Sequence, residues 1–503
     1  MARPRFEPSP CSISSQVSSL GPSWLPLLSA PADFPLEIFE TAVSQLIHHP
    51  EYNSTLILRS DLVNETTSDF PALIPALDGL VPLSNIHRRL LPRRPGRDEP
   101  LEQHCTLYGS ESDPNTLILT PIIPPGGSLP YYHPAVSHLG FRYIDATTPP
   151  TLRLEVVPLS ADAEIDPNSR LYRTGLSLLD ALHRYGWGAL TNYKKRVHHD
   201  CVVPREIYQD LYLVMRERFK GLVDTWVEST DPLKHVFEDI GIATFLILLW
   251  KDTYPPPPTS DVPPDEPWLG WGRPPGGFLD FGCGNGLLTH ILLSCGYPGL
   301  GIDLRARTSW TTYPAHTQAH LRVDAFDPQK TLAAGAPASM YTTPAGQFVI
   351  ANHADELTPW APLLATRARA SGFLSIPCCA WMFDMRFERG KAGVRAFTPA
   401  GGGNGEGEDD LAALVESLNL GADSGNTSGY AQYRIWLAQL QRHCGWEVEC
   451  EVLRIPSTRN WALVGRRRLG GHEEAQANVD AILQGVSDRG IFKTRTPEGK
   501  AGH

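Results

Sequence analysis

One glycine-rich stretch decides the fold class, and it reads Gly276-Gly-Phe-Leu-Asp-Phe-Gly-Cys-Gly-Asn-Gly-Leu-Leu-Thr-His290. An apolar segment reaches Asp280, and three alternating glycines (Gly282, Gly284 and Gly286) then precede a helical pattern. Glycine is needed where the backbone turns sharply and where a ligand approaches bare main chain. The stretch therefore predicts a strand, a ligand-binding turn and a helix.

The spacing of the glycines distinguishes between nucleotide ligands. The dinucleotide fingerprint G-x-G-x-x-G has its third glycine one residue later and lacks the leading acid. In the Asp-x-Gly-x-Gly-x-Gly form, Asp280 is placed to accept a hydrogen bond from the amino group of an amino-acid-bearing cofactor. This pattern predicts S-adenosylmethionine. Taken alone, Asp280 is also compatible with a helix N-cap.

Further acids follow the next two apolar segments. Asp303 ends Gly299-Leu-Gly-Ile-Asp303, and Asp324 follows Leu321-Arg-Val323. An acid after the second strand can accept both ribose hydroxyls of an adenosine, and one after the third can meet the adenine amine. Asp303 alone is also compatible with a surface ion pair. We add Asn352, after the fourth predicted strand, to the expected cofactor-binding set.

Short apolar strands alternate with helical stretches on both sides of these motifs, which is typical of a parallel sheet covered on both faces. We predict an α/β fold. Its core is a Rossmann-like S-adenosylmethionine-dependent methyltransferase sheet, preceded by a mixed, partly β N-terminal region and a helical segment. The predicted strands are Gly277–Phe281, Leu300–Asp303, Leu321–Val323, Gln347–Ala351, Gly372–Ile376, Trp446–Leu453 and Trp461–Gly465.

The chain is expected to contain several regions. They are a mixed, β-rich region of unassigned role at 1–165, a helical segment at 171–252, a Pro-rich linker at 253–273, a methyltransferase domain at 274–468 with a mobile insertion at about 391–429, and a C-terminal helix and tail at 469–503. A basic cluster at His87–Arg97 contains prolines, which predicts a loop. That loop is either solvated or in contact with RNA phosphates.

Composition limits the classes of partner and compartment. The 503 residues carry 44 Lys and Arg against 55 Asp and Glu, a formal net charge of −11. This balance argues against a protein that coats nucleic acid by charge alone, although it permits a local basic face. Nine scattered cysteines favour a reducing compartment. The longest apolar run, Ile240–Trp250, is about half of a bilayer span. We expect a cytoplasmic protein that does not contact a membrane.

Several longer motifs resemble one family. They are Phe348-Val-Ile-Ala-Asn-His-Ala-Asp-Glu-Leu-Thr-Pro-Trp360, Phe373-Leu-Ser-Ile-Pro-Cys-Cys-Ala380, Arg454-Ile-Pro-Ser-Thr-Arg-Asn460 and the upstream Trp226-Val-Glu-Ser-Thr-Asp231 segment. These motifs resemble the fungal tRNA (uracil-2′-O-)-methyltransferases that modify uridine 44 of serine tRNA. The resemblance covers roughly residues 171–466, and residues 1–165 and the tail do not add to it. It implies S-adenosylmethionine as methyl donor, a ribose 2′-hydroxyl as acceptor and cytoplasmic tRNA maturation.

A ribose hydroxyl is a poor nucleophile while it is protonated, so a nearby proton acceptor would help the reaction. Asp355, Glu356 and His353 follow the fourth predicted strand and have suitable chemistry. Asp355 is the first choice as base. Glu356 is also a candidate helix cap, and His353 a hydrogen-bonded wall residue. Other ribose methyltransferases often use a Lys-Asp-Lys-Glu set, and no matching lysine is evident.

Four arginines at predicted strand ends are candidate RNA contacts, namely Arg305, Arg307, Arg454 and Arg459. Taken individually, each is better explained as a solvated charge. The adjacent Cys378 and Cys379 have no C-x-x-C partner motif, so we expect no metal site.

Two other functions remain open on sequence grounds. One is a methyltransferase that acts on a protein or a small molecule, which the acidic balance permits. The other is a catalytically inactive tRNA-binding protein with the same fold, which the lack of an evident lysine permits.

Overall fold

The computed structural model describes residues 3–11, 18–110, 113–159, 166–193, 197–258, 262–383, 385–387, 406–421 and 428–490. The chain divides into two compact units, which we call unit 1 (Met1–Lys194) and unit 2 (Lys195–His503). The predicted helical segment 171–252 is therefore divided between the two units.

Unit 1 is built on one antiparallel sheet of eight strands in the order β1-β2-β8-β7-β6-β5-β4-β3. Its elements are β1 (Ser9–Pro10), β2 (Leu25–Pro31), α1 (Phe39–His48), β3 (Ile57–Thr66), β4 (Val81–Pro92), β5 (Leu101–Gly109), β6 (Pro114–Pro121), β7 (Val136–Ile144), β8 (Thr151–Pro158) and α2 (Arg170–Leu190).

Both helices of unit 1 bury an apolar face against the sheet. Phe39 and Leu46 of α1 and Leu179 and Leu182 of α2 join one buried cluster with residues of β6, β7 and β8. Helix α2 begins at Ser169, whose side chain accepts a hydrogen bond from the backbone N–H of Tyr172 at 3.1 Å. Such capping satisfies one of the backbone donors that a helix start leaves unpaired.

The prediction of a loop for the basic cluster is wrong at His87–Arg89, which lie in β4. There His87 pairs with His104 and Arg88 pairs with Gln103 on β5. The sequence pattern did not predict this strand because one of its inward-facing residues, Arg88, is charged. Arg88 is only 3% exposed. A period-two pattern is read from apolar residues, so a buried cation interrupts it.

Unit 2 holds a seven-stranded sheet in the order β11-β10-β9-β12-β13-β17-β16. Its elements are α3 (Arg205–Phe219), α4 (Pro232–Thr253), β9 (Phe278–Phe281), α5 (Leu287–Ser294), β10 (Gly299–Asp303), α6 (Ala315–Gln318), β11 (Leu321–Val323), α7 (Pro328–Leu332), β12 (Phe348–Asn352), α8 (Ala361–Arg367), β13 (Gly372–Ile376), β14 (Trp381–Met382), β15 (Met385–Arg386), α9 (Glu406–Ser417), α10 (Gly429–His443), β16 (Trp446–Val452), β17 (Trp461–Arg468) and α11 (His472–Asp488).

The first five strands of this sheet are parallel, and β17 runs antiparallel to both of its neighbours. Six of the seven strands coincide with a predicted one to within one residue at each end, and β17 ends at Arg468, three residues after its predicted end. The carboxyl ends of the parallel strands therefore share one edge of the sheet, where ligands of open α/β sheets bind.

Helices cover both faces of the sheet because successive strand residues point to opposite sides. In β9, Leu279 and Phe281 enter one buried cluster with α8 and α10, whereas Phe278 enters another with α4 and α5. The predicted buried helix at Ile240–Trp250 is the apolar part of α4, and all of it is buried. In the described ranges, no helix combines the length and the apolar character needed to cross a bilayer.

The predicted insertion at about 391–429 falls largely on residues outside the described ranges, apart from α9 and the chain next to it. The predicted C-terminal helix corresponds to α11, and the tail at 491–503 lies outside the described residues.

Candidate functional site

The glycine turn connects β9 to α5 at the centre of the sheet. Gly282, Gly284 and Gly286 have φ angles of 84°, 54° and 74°, a region that side-chain-bearing residues rarely adopt. The backbone N–H groups of Gly282 and Cys283 donate to the carbonyl oxygen of Ile302 at 2.9 and 3.0 Å. A Cβ built on Gly284 meets no atom within 4 Å. The hydrogen bonds to Ile302 thus hold the turn in place, and the space beside Gly284 is open.

A cavity of about 370 Å³ lies beside this turn. The turn residues Gly282, Cys283, Gly284 and Asn285 form one wall, and the strand-end residues Asp280, Asn352 and His353 form another. Helix α4 adds Lys234, His235, Glu238 and Asp239, and the segment after β16 adds Ser457, Thr458 and Arg459. The cavity therefore combines a bare backbone surface with acids, two histidines and two cations.

Asp280 is buried at the base of the cavity, with 1% of its surface exposed. Its Oδ2 accepts a hydrogen bond from Thr289 Oγ1 at 2.7 Å. Burial raises the pKa of this carboxyl to about 7; the hydrogen bond from Thr289 opposes the rise, and the nearby Asp303 adds to it.

A second carboxyl group, the half-buried Asp239, lies at the same cavity on α4. Asp239 Oδ1 accepts from Asn352 Nδ2 at 3.2 Å, and the pKa of Asp239 is raised well above its usual range by burial and by the neighbouring Asp280 and Glu238. The Oδ1 atom of Asn352 is buried, and no hydrogen-bond partner reaches it from the described residues. Three acceptor groups thus line the same cavity.

These features fit the methionine part of S-adenosylmethionine. A primary ammonium group needs several converging acceptors, which Asp280, Asp239 and Asn352 Oδ1 offer. The open space at Gly284 lets a ligand contact the main chain directly.

The other two acids of the predicted cofactor set lie after neighbouring strands. Asp303 Oδ2 accepts from the backbone N–H of Gly284 at 2.9 Å, and its Oδ1 accepts from that of Arg305 at 3.2 Å. The backbone N–H of Asp324 donates to the carbonyl oxygen of Asp303 at 3.0 Å. A hydrogen bond with Tyr341 engages the Asp324 side chain. Neither acid is among the residues that line the 370 Å³ cavity.

Of the three predicted catalytic residues, His353 is the one that lines the cavity. Its Nε2 lies 2.9 Å from Glu238 Oε1, and its φ angle of 49° is unusual for a residue other than glycine. Burial would raise the pKa of Glu238, but hydrogen bonds from His353 and Ser457 outweigh it, so the pKa lies below its usual value. An ionised Glu238 can only accept, so in a neutral His353 ring the proton would be on Nε2 and the lone pair on Nδ1.

Asp355 and Glu356 are not among the cavity-lining residues. Asp355 is exposed, and its Oδ1 accepts from Cys378 Sγ at 3.1 Å. Asp355, Cys378 and Cys379 each offer one ligand atom within 4.8 Å of the others. Three ligands are one fewer than a structural zinc site uses. The prediction that the chain binds no metal remains a prediction.

Two of the predicted RNA contacts come from the segment around β17. Arg459 lines the cavity, and its Cζ lies 4.0 Å from the centroid of the Tyr430 ring. Arg454 forms two hydrogen bonds with Asp200, at 2.8 and 2.5 Å. Arg459 therefore lies at the cavity, whereas Arg454 has a structural partner.

The other two predicted contacts follow β10. Arg305 and Arg307 are partly buried there, and no hydrogen-bond partner reaches the buried Nε of Arg307 from the described residues. The basic run Arg466–Arg468 lies on β17, where Arg466 binds Glu449 at 2.6 Å. The basic residues 194–196 lie outside the described residues.

The candidate site residues that the sequence did not predict include several on α4. Lys234, Glu238 and Asp239 occupy its first two turns, directly before the uncharged run that starts at Ile240. Charges spaced by four residues at the start of a buried helix share one face. The four-residue spacing of Lys234 and Glu238 was therefore a signal in the sequence that these side chains lie together. The same helix places a lysine at the cavity, whereas no catalytic lysine was evident from the sequence motifs.

Residues 202–263 and 271–328 match a family described as "Predicted AdoMet-dependent methyltransferase". Residues 5–196 match one described as "TRM44-like, N-terminal bet v1-like domain". The fold and the site thus define an S-adenosylmethionine-dependent methyltransferase with an added N-terminal domain.

The relatives specify the family. A tRNA (uracil-O(2)-)-methyltransferase of Neurospora crassa is 35% identical over 92% of this chain and 89% of its own length. Proteins of the same name from Schizosaccharomyces pombe and Saccharomyces cerevisiae are 34% and 31% identical, over 93% of this chain in each case and 91% of each relative. The chain belongs to the tRNA (uracil-O(2)-)-methyltransferase family. The expectation that residues 1–165 lie outside the family resemblance is therefore wrong.

A solved structure, "Crystal structure of Ara h 8.0201", matches 34% of this chain and 98% of its own with 10% identity and a TM-score of 0.22. That score is too low to bear on the fold of unit 1.

We expect Gly284→Ala to remove cofactor binding with little loss of stability. The new methyl group would meet no protein atom, so the folded state bears only the strain of a positive φ, about 1 kcal/mol. The methyl group would instead project into the space that the cofactor needs. Calorimetry with S-adenosylhomocysteine measures the first effect, and chemical denaturation measures the second.

Gly126→Ala is the matched control for this substitution. Gly126 also has a positive φ of 77° and open space around its Cβ position, but it lies in unit 1. It should show the same small strain and unchanged affinity for S-adenosylhomocysteine. Full affinity in Gly284→Ala would mean that the cofactor does not contact this turn.

Proposed function

We propose that this chain transfers the methyl group of S-adenosylmethionine to the ribose 2′-oxygen of a uridine in tRNA. The observation that carries the proposal is the cavity in which the glycine turn and the buried acids lie beside the His353–Glu238 pair. The family and the names of the relatives support the substrate class. The finer description of unit 2 as a Rossmann-like methyltransferase sheet belongs to the same proposal, and its strand order supports it.

Bound S-adenosylmethionine supplies an electrophilic methyl group on a sulfonium. Asp280, Asp239 and Asn352 would hold its ammonium group, and the backbone of Gly282 and Gly284 would contact it directly. Asp303 and Asp324, after the next two strands, would bind the ribose and the adenine. Gly286 allows α5 to start directly after the turn.

His353 is the group best placed to take the proton of the 2′-hydroxyl. Glu238 fixes the ring through Nε2 and favours the positive charge that the ring acquires on protonation. Lys234 and Arg459 give the same cavity two cations, which suit the phosphates that flank the reacting ribose. Asp355 and Glu356 remain weaker candidates, because neither lines the cavity.

The proposal also specifies which tRNA is methylated. The sequence motifs resemble enzymes that act on uridine 44 of serine tRNA, and we propose the same target here. A cytoplasmic location is part of the proposal, and the free cysteines of the described residues support a reducing compartment.

Methyl transfer can be tested with labelled S-adenosylmethionine and unmodified tRNA transcripts. We expect label on the 2′-oxygen of one uridine in serine tRNA, located by nuclease digestion and mass spectrometry, and none in a transcript with 2′-deoxyuridine at that position. Tight tRNA and cofactor binding without label would instead identify an inactive binding protein. Label that is still incorporated after the substrate has been treated with ribonuclease would indicate a protein or small-molecule acceptor.

A further inference from the structure

Unit 1 contains a cavity of about 550 Å³ that the proposed methyl transfer does not use. Part of its buried wall is apolar and includes Leu119, Leu139 and Phe141 from β6 and β7. Its exposed side is formed by one face of α2, where Arg170, Arg173, Thr174, Ser177 and Leu178 follow helical spacing. The cavity thus has an apolar wall opposite a polar, cationic helix face.

A buried polar network crosses the cavity wall. Arg88 donates from Nε and Nη2 to Gln103 Oε1 at 3.0 and 2.6 Å, and from Nη1 to the carbonyl oxygens of Leu46 and Ile47. Gln103 Nε2 in turn lies 2.9 Å from His133 Nε2. The acceptors in these hydrogen bonds are neutral. Burial lowers the pKa of the Arg88 guanidinium, and Cys105 and the carboxylate of Glu51 oppose the shift.

The charge of the cavity has one sign. Its lining residues include Arg88, Arg170 and Arg173, and, in the part of unit 1 that the structure describes, no aspartate or glutamate. Burial lowers the pKa of His133 to about 4; a hydrogen bond with the Pro134 carbonyl opposes the shift, and the charges of Arg88 and Arg170 add to it. The two arginines therefore make the electrostatic potential at the His133 ring positive, although the net charge of the whole chain is −11.

The open side also carries an aromatic surface. Tyr131 is 66% exposed, and the guanidinium carbon of Arg170 lies 3.9 Å from its ring centroid. Exposed aromatic rings and arginine planes stack on unpaired bases. Hydroxyl groups of Thr174 and Ser177 lie on the same helix face and can bond to a ribose or a base edge.

We propose that this cavity binds a nucleotide through its phosphate, with arginines on the anion and the base against the apolar wall and Tyr131. The nucleotide is either free or an unpaired residue of an RNA strand, because the two share this chemistry. Arginine suits a phosphate because its planar fork forms paired, charge-assisted hydrogen bonds. The inference rests on unit 1 alone and goes beyond the methyl transfer proposed for unit 2.

Calorimetry on the full chain tests the proposal, with S-adenosylhomocysteine present at saturation to fill the site in unit 2. We expect uridine monophosphate to bind about tenfold more tightly than uridine, the worth of one charge-assisted contact. Arg170→Ala and Arg173→Ala should each remove most of that preference. Arg88→Gln would disturb the buried network and the fold, so the test uses the exposed residues Arg170 and Arg173.

Arg184→Ala is the matched control, because Arg184 is an exposed arginine of the same helix that does not line the cavity. It should leave nucleotide affinity unchanged. Equal affinity for uridine and its monophosphate, equal losses in all three variants, or tight binding of decanoate that uridine monophosphate does not displace would overturn the proposal.

A tRNA-binding measurement separates the two sources of the nucleotide. If the ligand is part of an RNA strand, Arg170→Ala and Arg173→Ala lower tRNA affinity, and excess uridine monophosphate competes with tRNA. If the ligand is a free nucleotide, tRNA affinity is unchanged while nucleotide binding is lost. Failure of methyl transfer in unit 2 would affect neither result.

Discussion

His353→Ala is expected to lower the rate of methyl transfer in a single turnover by about 100- to 1,000-fold, the usual worth of a general base. Affinity for S-adenosylhomocysteine should stay nearly unchanged, because we propose that other residues of the cavity hold the cofactor. The imidazole ring of His353 lines the cavity and is held by the buried carboxylate of Glu238. Quench-flow measurement with labelled cofactor and calorimetry give the two quantities.

The controls separate a base from a structural residue. Added imidazole should restore part of the rate to His353→Ala, because the small base can enter the vacated space. Asp355→Asn should keep a rate within about threefold of the parent, as expected for an exposed residue outside the cavity. A normal rate in His353→Ala together with a large loss in Asp355→Asn would reverse the two roles.

Glu238→Gln tests the positioning of His353 separately. The amide retains the size and hydrogen-bonding capacity of the carboxyl group but loses the negative charge that favours protonation of the ring. We expect the rate of methyl transfer to fall by about tenfold or more, with cofactor affinity and folding stability close to those of the parent. An unchanged rate would show that Glu238 has only a packing role.

The sheet and the glycine turn of unit 2 could be predicted from the sequence because their signals are local. Strands buried on both faces are apolar throughout, and a turn with positive φ at Gly282, Gly284 and Gly286 permits few other residues. The strand ends then place Asp280 and Asn352 at one edge without further information. This is why Asp280, Gly282, Gly284 and Asn352 line one cavity in the structure.

The choice of base could not be predicted in the same way, because it depends on a long-range contact. His353 and Asp355 are two residues apart in sequence, but only His353 lines the cavity. Its partner Glu238 lies on α4, 115 positions earlier in the chain. Such a contact is set by how α4 packs on the sheet, and the local pattern of either segment carries no trace of it.

Unit 1 contains a charged residue whose burial could not be predicted from the sequence. Arg88 is charged and close to prolines, which predicts an exposed loop, yet β4 carries it into the interior. The carbonyls of Leu46 and Ile47 and the side chain of Gln103 make that burial possible, and they come from two other elements. Propensity rules assume that a charge faces solvent, so they fail where a fold supplies distant partners.

The affinity for S-adenosylhomocysteine is expected to fall about tenfold between pH 8 and pH 6, because an ammonium group binds an ionised carboxyl group better than a protonated one. The pKa of Asp280 is about 7 in the folded protein, so this group is mostly ionised at pH 8 and mostly protonated at pH 6. The raised pKa of Asp239 acts in the same direction. Calorimetry across this range measures the effect.

The same group affects stability with the opposite sign when no ligand is bound. The folded protein keeps a proton on Asp280 up to about pH 7, whereas an unfolded aspartate releases it near pH 4. Because the folded state binds more protons across this window, stability falls as pH rises from about 4 to 7 and then levels off. The thermal shift caused by S-adenosylhomocysteine should therefore be larger at pH 8 than at pH 6.

Methylthioadenosine isolates the ammonium contact, because it has the nucleoside and the sulfur but lacks the amino-acid group. Its affinity should not depend on pH between 6 and 8, and Asp239→Asn and Asp280→Asn should hardly change it. In both variants the affinity for S-adenosylhomocysteine should fall, by about tenfold or more at pH 8. Asp280→Asn should also remove most of the pH dependence. Equal losses for both ligands would mean that the two acids support the fold of the cavity rather than bind the ammonium group.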